Sequence, residues 1–148
     1  NKFDLVYGGG GLGLMGSVAS GANSEGANIY GIMPKFLTNL ETPMNDINLT
    51  ITSSMQRRKA LMYKLSSMFI ILPGGIGTLD ECVEVLTLIQ LNQIKNKPVI
   101  IFNYNGYWNS LLTMFKKMIN EGFLKKKNLN NFIEFKNLKN LNCFLKSF

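Results

Sequence analysis

The sequence predicts an α/β protein in which helices cover both faces of a parallel, doubly wound sheet. Three observations lead to this fold class. Strand-like and helix-like segments alternate, the central strands are apolar on both faces, and a glycine cluster follows each of two strands. Strands of that kind are typical of parallel sheets buried between helices. We therefore predict a Rossmann-like architecture in a single domain spanning residues 1–148.

The predicted strands are short, mostly apolar segments bounded by glycine, proline or polar turns. They lie at residues 4–7, 28–33, 49–52, 68–72 and 98–102, with an edge strand at 132–135. The predicted helices alternate with them, and Ser53 or Ser54 is expected to cap the second. They lie at residues 14–24, from the cap to 65, 79–92 and 107–121, with a terminal helix after 135. In such sheets ligands bind at the carboxyl ends of the strands, where both glycine clusters fall.

Composition and charge exclude several classes of protein. With 46% apolar residues the chain can bury a core, and no apolar run reaches the ~20 residues of a membrane span. Six lysines and one glutamate give residues 123–148 a charge of +5 out of +7. The rest of the chain therefore offers no basic face, and we do not expect nucleic-acid binding. We interpret the Lys/Asn-rich tail, residues 124–148, as compositional bias, with a weak polyanion-binding module as the alternative.

Cysteine and histidine usage limits the chemistry further. The sequence contains no histidine, and Cys82 and Cys143 are far apart, which excludes His-based nucleophilic triads and His-containing metal sites. We expect no metal, no cofactor, reduced thiols and a cytoplasmic protein. The chain has neither a signal peptide nor an initiator Met and enters a strand almost at once, so we expect that sequence precedes residue 1.

The first glycine cluster contains a formal GxGxxG at residues 11–16, after a strand and before a helix. Dinucleotide binding also needs an acidic residue at the end of the next strand, and residues 31–35 provide none. The motif therefore does not predict NAD binding. A glycine loop at a helix N-terminus still offers N–H donors to a phosphate, and we predict Gly9 and Gly10 as phosphate-binding residues.

The second glycine cluster, residues 73–81, also follows a strand and opens a helix. We predict phosphate binding by Gly74, Gly75, Gly77 and Thr78. Thr78 and Glu81 have the spacing of a capping box, which would make Glu81 structural. Three carboxylates crowd the same turns, at Asp80, Glu81 and Glu84, and capping accounts for only one of them. Both interpretations, structural and functional, stay open from the spacing.

The only two arginines among sixteen basic residues are adjacent, at positions 57 and 58. Arginine presents a planar fork that pairs bidentately with carboxylate or phosphate, which lysine cannot do. A solvated helix start would not need this residue type, and a helix prefers cations at its other end. The pair therefore favours a functional role.

Together these motifs resemble the Lonely Guy family of cytokinin riboside 5'-monophosphate phosphoribohydrolases, once labelled lysine decarboxylase-like. The resemblance covers residues 4–123 and rests on five stretches, at residues 8–16, 55–59, 73–81, 97–99 and 103–107. It implies a Rossmann-like fold, a homodimer with active sites near the subunit interface, and no cofactor. It also implies hydrolysis of a nucleoside 5'-monophosphate, N6-substituted AMP or AMP, to free base and ribose 5-phosphate. The family's first strand and its glycine/serine loop are missing from this chain.

Carried over by position, the resemblance implies that Arg58 and Glu81 form the catalytic pair. The substrate-binding residues that it implies are Glu41, Arg58, Lys59, Gly75, Ile76, Gly77, Thr78, Leu79, Asp80, Glu81 and Thr87. We expect a base pocket lined by apolar residues such as Met15, Met62 and Leu86.

Two further expectations concern function and geometry. A non-catalytic nucleotide sensor of the same fold is the alternative to an enzyme, whereas no lysine has the signature of a pyridoxal-phosphate decarboxylase. We expect Arg58 and Glu81 at the carboxyl end of the sheet. The helix that carries Arg58 leads into the strand before Glu81, and its start is expected at the opposite edge. Dimerisation or local folding would then be needed to bring the two side chains together.

Overall fold

The computed structural model describes residues 3–94 and 97–148 and divides into two compact units, Asn1–Ser66 and Ser67–Phe148. Each unit contains a sheet of three parallel strands with helices packed against it. The α/β class with parallel strands is therefore confirmed. The single-domain organisation of residues 1–148 stays a prediction.

The first unit is built around a sheet whose strands follow chain order. Its elements are β1 (Leu5–Tyr7), α1 (Gly13–Ser24), β2 (Ile29–Pro34), a 3-10 helix (Lys35–Asn39), β3 (Asn48–Thr52) and α2 (Met55–Leu65). The central strand β2 pairs in parallel with both neighbours, so that Tyr7 lies opposite Gly31 and Met33 opposite Ile51. Tyr7, Ala19 and Ile29 form a small buried core.

The second unit repeats this arrangement around a central strand of its own. Its elements are β4 (Phe69–Ile71), α3 (Ile76–Gln90), β5 (Val99–Phe102), a 3-10 turn (Tyr104–Gly106), α4 (Asn109–Asn120), a second 3-10 helix (Lys126–Asn131), β6 (Ile133–Phe135) and α5 (Leu138–Ser147). The central strand β5 is buried along its whole length. Phe102 of this strand forms a core cluster with Ile100 and with Leu141 of α5. The basic tail thus contributes a folded strand and helix to the unit.

The sequence predicts all six described strands to within one residue at each end, and the main differences lie at helix starts and in loops. Residues 35–39 lie outside every predicted helix and strand and form a 3-10 helix. The helix predicted to begin at residue 79 begins at Ile76, because Gly75 is its N-cap. Ser54 caps α2, and its hydroxyl oxygen accepts a hydrogen bond from the Arg57 N–H at 3.2 Å. Within the described ranges, no helix is long and apolar enough to cross a bilayer.

Candidate functional site

The helix that carries Arg58 begins at the carboxyl edge of the first sheet. Strand β3 ends at Thr52, and α2 starts three residues later at Met55. The start of α2 therefore lies beside the carboxyl end of β3. The relation between Arg58 and Glu81, which belongs to the second unit, stays a prediction.

The Arg58 guanidinium is held at this edge by the backbone of the first unit. Its Nε donates a hydrogen bond to the Ile32 carbonyl oxygen at 3.0 Å, and Nη1 lies 3.8 Å from the Met55 sulfur. The fork lies directly against Gly8, where an added Cβ atom would overlap Nη2. Arg58 is half-buried and Arg57 is exposed. The structure thus separates a fixed arginine from a solvated one, and the fixed one is the arginine that the family resemblance selects.

Two other predicted residues lie over the first glycine cluster. A Cβ atom added to Gly10 would come within 2.8 Å of Met15 Cε and 3.4 Å of Glu41 Oε2. The Met15 sulfur also lies 3.7 Å from the Cβ position of Gly8. Arg58, Met15 and Glu41 are therefore gathered over one short glycine segment after β1.

The backbone of that segment is closed off by the chain around residue 43. Gly9 O accepts a hydrogen bond from Met44 N at 3.0 Å, and Gly11 N donates to Thr42 O at 2.9 Å. Gly9 has a left-handed φ of 86° and is buried with Gly10. Close packing thus explains why glycine occupies these positions. Phosphate binding by Gly9 and Gly10 stays a prediction.

The second glycine cluster is exposed to solvent, whereas the first is covered by the chain around residue 43. Strand β4 ends at Ile71, and the loop leads to Gly75, the N-cap of α3. Gly75, Ile76 and Gly77 are exposed, and no atom lies within 4 Å of a Cβ atom placed on either glycine. The first N–H groups of a helix have no intrahelical acceptor and favour anions. The start of α3 is therefore open to solvent, and phosphate binding by Gly74, Gly75, Gly77 and Thr78 stays a prediction.

The structure contradicts the capping interpretation of Glu81, whereas its functional role stays a prediction. Because Gly75 is the N-cap, Thr78 is the third residue of α3 and Glu81 the sixth. A capping box needs the acidic residue at the third position, so the capping interpretation is wrong. Thr78 instead packs over Gly74, where an added Cβ atom would overlap its side chain. Glu81 is half-buried, with exposed Asp80 beside it and half-buried Glu84 one turn further on.

The remaining predicted residues lie on the same helices. Lys59 and Met62 are half-buried in α2, and Leu79 and Leu86 are half-buried in α3. Thr87 is exposed, and its hydroxyl donates to Val83 O at 2.8 Å within the helix.

Sequence reasoning gave no role to Asn103, which is completely buried at the carboxyl end of β5. Its amide nitrogen donates to Glu134 Oε1 at 2.7 Å and to Asn109 Oδ1 at 2.9 Å. Its Oδ1 accepts a hydrogen bond from the Trp108 N–H at 2.7 Å. A polar residue directly after a fully apolar strand was the available signal, since buried polar groups require partners.

Tyr107 links the same turn to the open glycine loop. Its hydroxyl donates a hydrogen bond to the Gly74 carbonyl oxygen at 2.8 Å. Its ring stands edge-on to Trp108, with ring centroids 4.9 Å apart and an interplanar angle of 87°.

Thiol and metal chemistry have little support in the described residues. Cys82 and Cys143 are free thiols, the first buried and the second exposed. Burial raises the pKa of Cys82 to about 11, so its thiol stays protonated and unreactive at neutral pH. Across residues 3–94 and 97–148, no group of three or more His, Cys, Asp or Glu side chains could hold a metal ion.

Comparison with known proteins adds an independent line of evidence. A cytokinin riboside 5'-monophosphate phosphoribohydrolase of Arabidopsis thaliana is 46% identical over 124 residues, which cover 83% of this chain and 57% of that protein. A second one from the same plant is 40% identical over 141 residues, covering 95% and 61%. A probable enzyme of this name from Oryza sativa subsp. japonica is 45% identical over 122 residues, covering 82% and 57%. The chain thus spans about three fifths of the length of these relatives.

A protein family described as "possible lysine decarboxylase" matches residues 15–142. The matched range includes α2 with its fixed arginine and the open glycine loop with α3. It agrees with the Lonely Guy resemblance, because the curated relatives carry the phosphoribohydrolase name. The chain therefore belongs to the possible lysine decarboxylase family, the family of the Lonely Guy phosphoribohydrolases.

Proposed function

We propose that this protein hydrolyses the N-glycosidic bond of a nucleoside 5'-monophosphate, AMP or an N6-substituted AMP. The products are the free base and ribose 5-phosphate. The observation that carries the proposal is the open glycine loop before α3, followed by a carboxylate, Glu81, in the second turn of that helix. The names of the relatives support the same reaction.

The loop supplies the anion-binding part of the reaction. Gly74, Gly75, Gly77 and Thr78 are the proposed phosphate-binding residues, because N–H groups at a helix start stabilise negative charge. The exposed glycines leave room for a phosphate to approach the backbone closely. Lys59 and Arg58 are proposed to add positive charge for substrate binding.

Glu81 is proposed to act as the general base. It removes a proton from water while the water oxygen bonds to the anomeric carbon and the carbon–nitrogen bond breaks. The bonding pair leaves with the nucleobase, which takes up a proton from solvent, and Glu81 then returns its proton to solvent. Positive charge develops on the ribose ring in the transition state, and a carboxylate stabilises that charge. Arg58 is its proposed catalytic partner, fixed in orientation by the Ile32 carbonyl.

We also propose that the protein works as a homodimer in the cytoplasm. The family resemblance supports the dimer, and two unpaired thiols in the structure suit a reducing compartment. Light scattering of the full-length protein measures the oligomeric state directly.

The test is a product assay of the full-length protein with AMP, an N6-alkyl AMP, other nucleoside monophosphates and the matching nucleosides. We expect release of ribose 5-phosphate from at least one monophosphate and none of the nucleosides cleaved. Glu81→Gln should lower kcat by at least about 100-fold, the usual contribution of a general base. Glu121→Gln is the control, because Glu121 is exposed and ends a different helix of the same unit.

Two results would contradict this proposal in different ways. Tight nucleotide binding with no turnover by the wild-type protein would identify a sensor or carrier. Near-normal turnover by Glu81→Gln would keep the reaction but move the base to Asp80, Glu84 or Glu41.

A further inference from the structure

We propose that Tyr107 is a positioning residue that orients the glycine loop toward the substrate phosphate. This inference rests on the proposed function and adds a residue that the substrate does not have to touch. Its basis is the hydrogen bond from the Tyr107 hydroxyl to the Gly74 carbonyl oxygen, 2.8 Å long. The two residues are 33 apart in sequence, so this bond joins two separate segments of the second unit.

The bond fixes one peptide plane at the start of the loop. The described chain contains no cis peptide bond, and in a trans peptide the C=O and the next N–H point in opposite directions. Holding the Gly74 carbonyl against Tyr107 therefore turns the Gly75 N–H to the other side. Gly75 is the N-cap of α3, and the space around it is open. Tyr107 thus sets the direction in which the loop presents its first donor.

The position of Tyr107 is itself fixed, by the turn that precedes it and by its contact with Trp108. The residues before it, Asn105 and Gly106, both have left-handed φ angles, 51° and 74°, which reverse the chain sharply. A Cβ atom at Gly106 would also lie 2.6 Å from Asn109 Nδ2, so the Asn109 side chain would have to move. The ring packs edge-on against Trp108, whose N–H is held by buried Asn103.

This arrangement explains the Asn-x-x-Gly-Tyr stretch at residues 103–107, which neither the phosphate site nor the catalytic pair requires. Asn103 anchors the turn, Gly106 allows it to close, and Tyr107 reaches the loop. A purely structural role would affect the stability of the unit. A positioning role should in addition affect one part of the ligand, the phosphate.

The experiment compares full-length wild-type protein with Tyr107→Phe, which removes only the hydroxyl. Tyr104→Phe is the matched control: Tyr104 lies three residues away, is half exposed, and stacks on Phe102. Steady-state kinetics with AMP or the N6-alkyl AMP give KM and kcat. Calorimetry gives the affinities for AMP, ribose 5-phosphate and adenosine.

We expect Tyr107→Phe to raise KM by about 3- to 10-fold, the effect of one lost hydrogen bond. It should weaken AMP and ribose 5-phosphate binding by the same factor, with kcat and adenosine affinity within about twofold of wild type. Tyr104→Phe should match the wild type in every measurement. Unchanged KM and affinities in Tyr107→Phe would overturn the proposal, as would equal weakening of AMP and adenosine.

The two proposals can fail separately. If the wild-type protein binds AMP without hydrolysing it and Tyr107→Phe weakens only the phosphate-bearing ligands, the positioning role stands and the enzymatic function is wrong. If hydrolysis proceeds and Tyr107→Phe is unaffected, the function stands and the positioning role is wrong. A wild-type protein that binds none of the phosphate-bearing ligands would overturn both.

Discussion

Replacing buried Asn103 by aspartate should destabilise the protein far more than the size of the change suggests. The amide nitrogen that donates to Glu134 and Asn109 becomes an oxygen, so two hydrogen bonds are lost and two carboxyl groups meet at 2.7 Å. Losing the bond to a charged acceptor costs about 2 kcal/mol, and losing the neutral one about 1 kcal/mol. Holding a second negative charge beside Glu134 adds at least about 1 kcal/mol of electrostatic repulsion at pH 7. We expect a total of about 4 kcal/mol, a large part of the stability of an ordinary domain.

The assay is urea unfolding followed by fluorescence of Trp108, the only tryptophan of the chain and a direct partner of Asn103. Asn105→Asp is the control, because Asn105 is exposed in the same turn and aspartate tolerates its left-handed φ of 51°. It should change stability by less than about 0.5 kcal/mol.

The pH dependence of Asn103→Asp provides a second check. Burial beside Glu134 should raise the folded-state pKa of the new carboxyl, so the variant should recover stability relative to wild type as pH falls from 7 to 5. Equal unfolding midpoints for the two variants at pH 7 would refute the reasoning, because the buried hydrogen-bond network could then not exist.

Two further predictions concern the fixed arginine and the buried thiol. Arg58→Lys should lower kcat/KM by at least about 100-fold, because a point charge replaces the planar fork and the hydrogen bond from Nε to the Ile32 carbonyl is lost. The control variant, Arg57→Lys, should keep kcat/KM within about twofold of wild type. Equal effects in the two variants would show that the arginines act only through charge. Iodoacetamide at neutral pH should label the native protein once, at the exposed Cys143. The buried Cys82 should be labelled only after unfolding, and intact-mass spectrometry counts the labels. Because burial raises the pKa of Cys82 from 9.0 to about 11, the stabilising contribution of this thiol is present below pH 9 and lost toward pH 11. The difference in unfolding free energy between wild type and Cys82→Ala should narrow by about 2–3 kcal/mol over that range.

The order and type of the main elements could be predicted from the sequence because local signals agree with the fold. Apolar segments such as β5 are interrupted by turn residues, and strand–helix alternation leaves few topologies for a parallel sheet. The start of α3 was misplaced because Thr78 resembles a cap, while the actual N-cap, Gly75, offers no side chain to recognise. Glycine at an N-cap gives a weaker signal than serine or threonine.

The sequence indicates which residues belong to the candidate site, but not which atoms they contact. The family resemblance selects Arg58 over Arg57, but the hydrogen bond that fixes it, to the Ile32 carbonyl of β2, is visible only in the structure. The buried bonds of Asn103 join residues 31 positions apart, which no local pattern reports. For Tyr107 the motif is visible in the sequence, but the loop that its hydroxyl contacts is not.

The glycines of the open loop differ in what the folded chain demands of them, and this difference gives a way to map the ligand. A side chain at Gly74 would collide with Thr78, so that position is restricted whether or not the protein has a substrate. Gly75 and Gly77 meet no such obstacle and have φ angles that other residues adopt. In a library selected first for folding and then for turnover, alanine variants at Gly74 should be lost at the first step. If alanine at Gly75 or Gly77 is accepted in the folding step and rejected only in the turnover step, that glycine lies where the bound nucleotide approaches the loop.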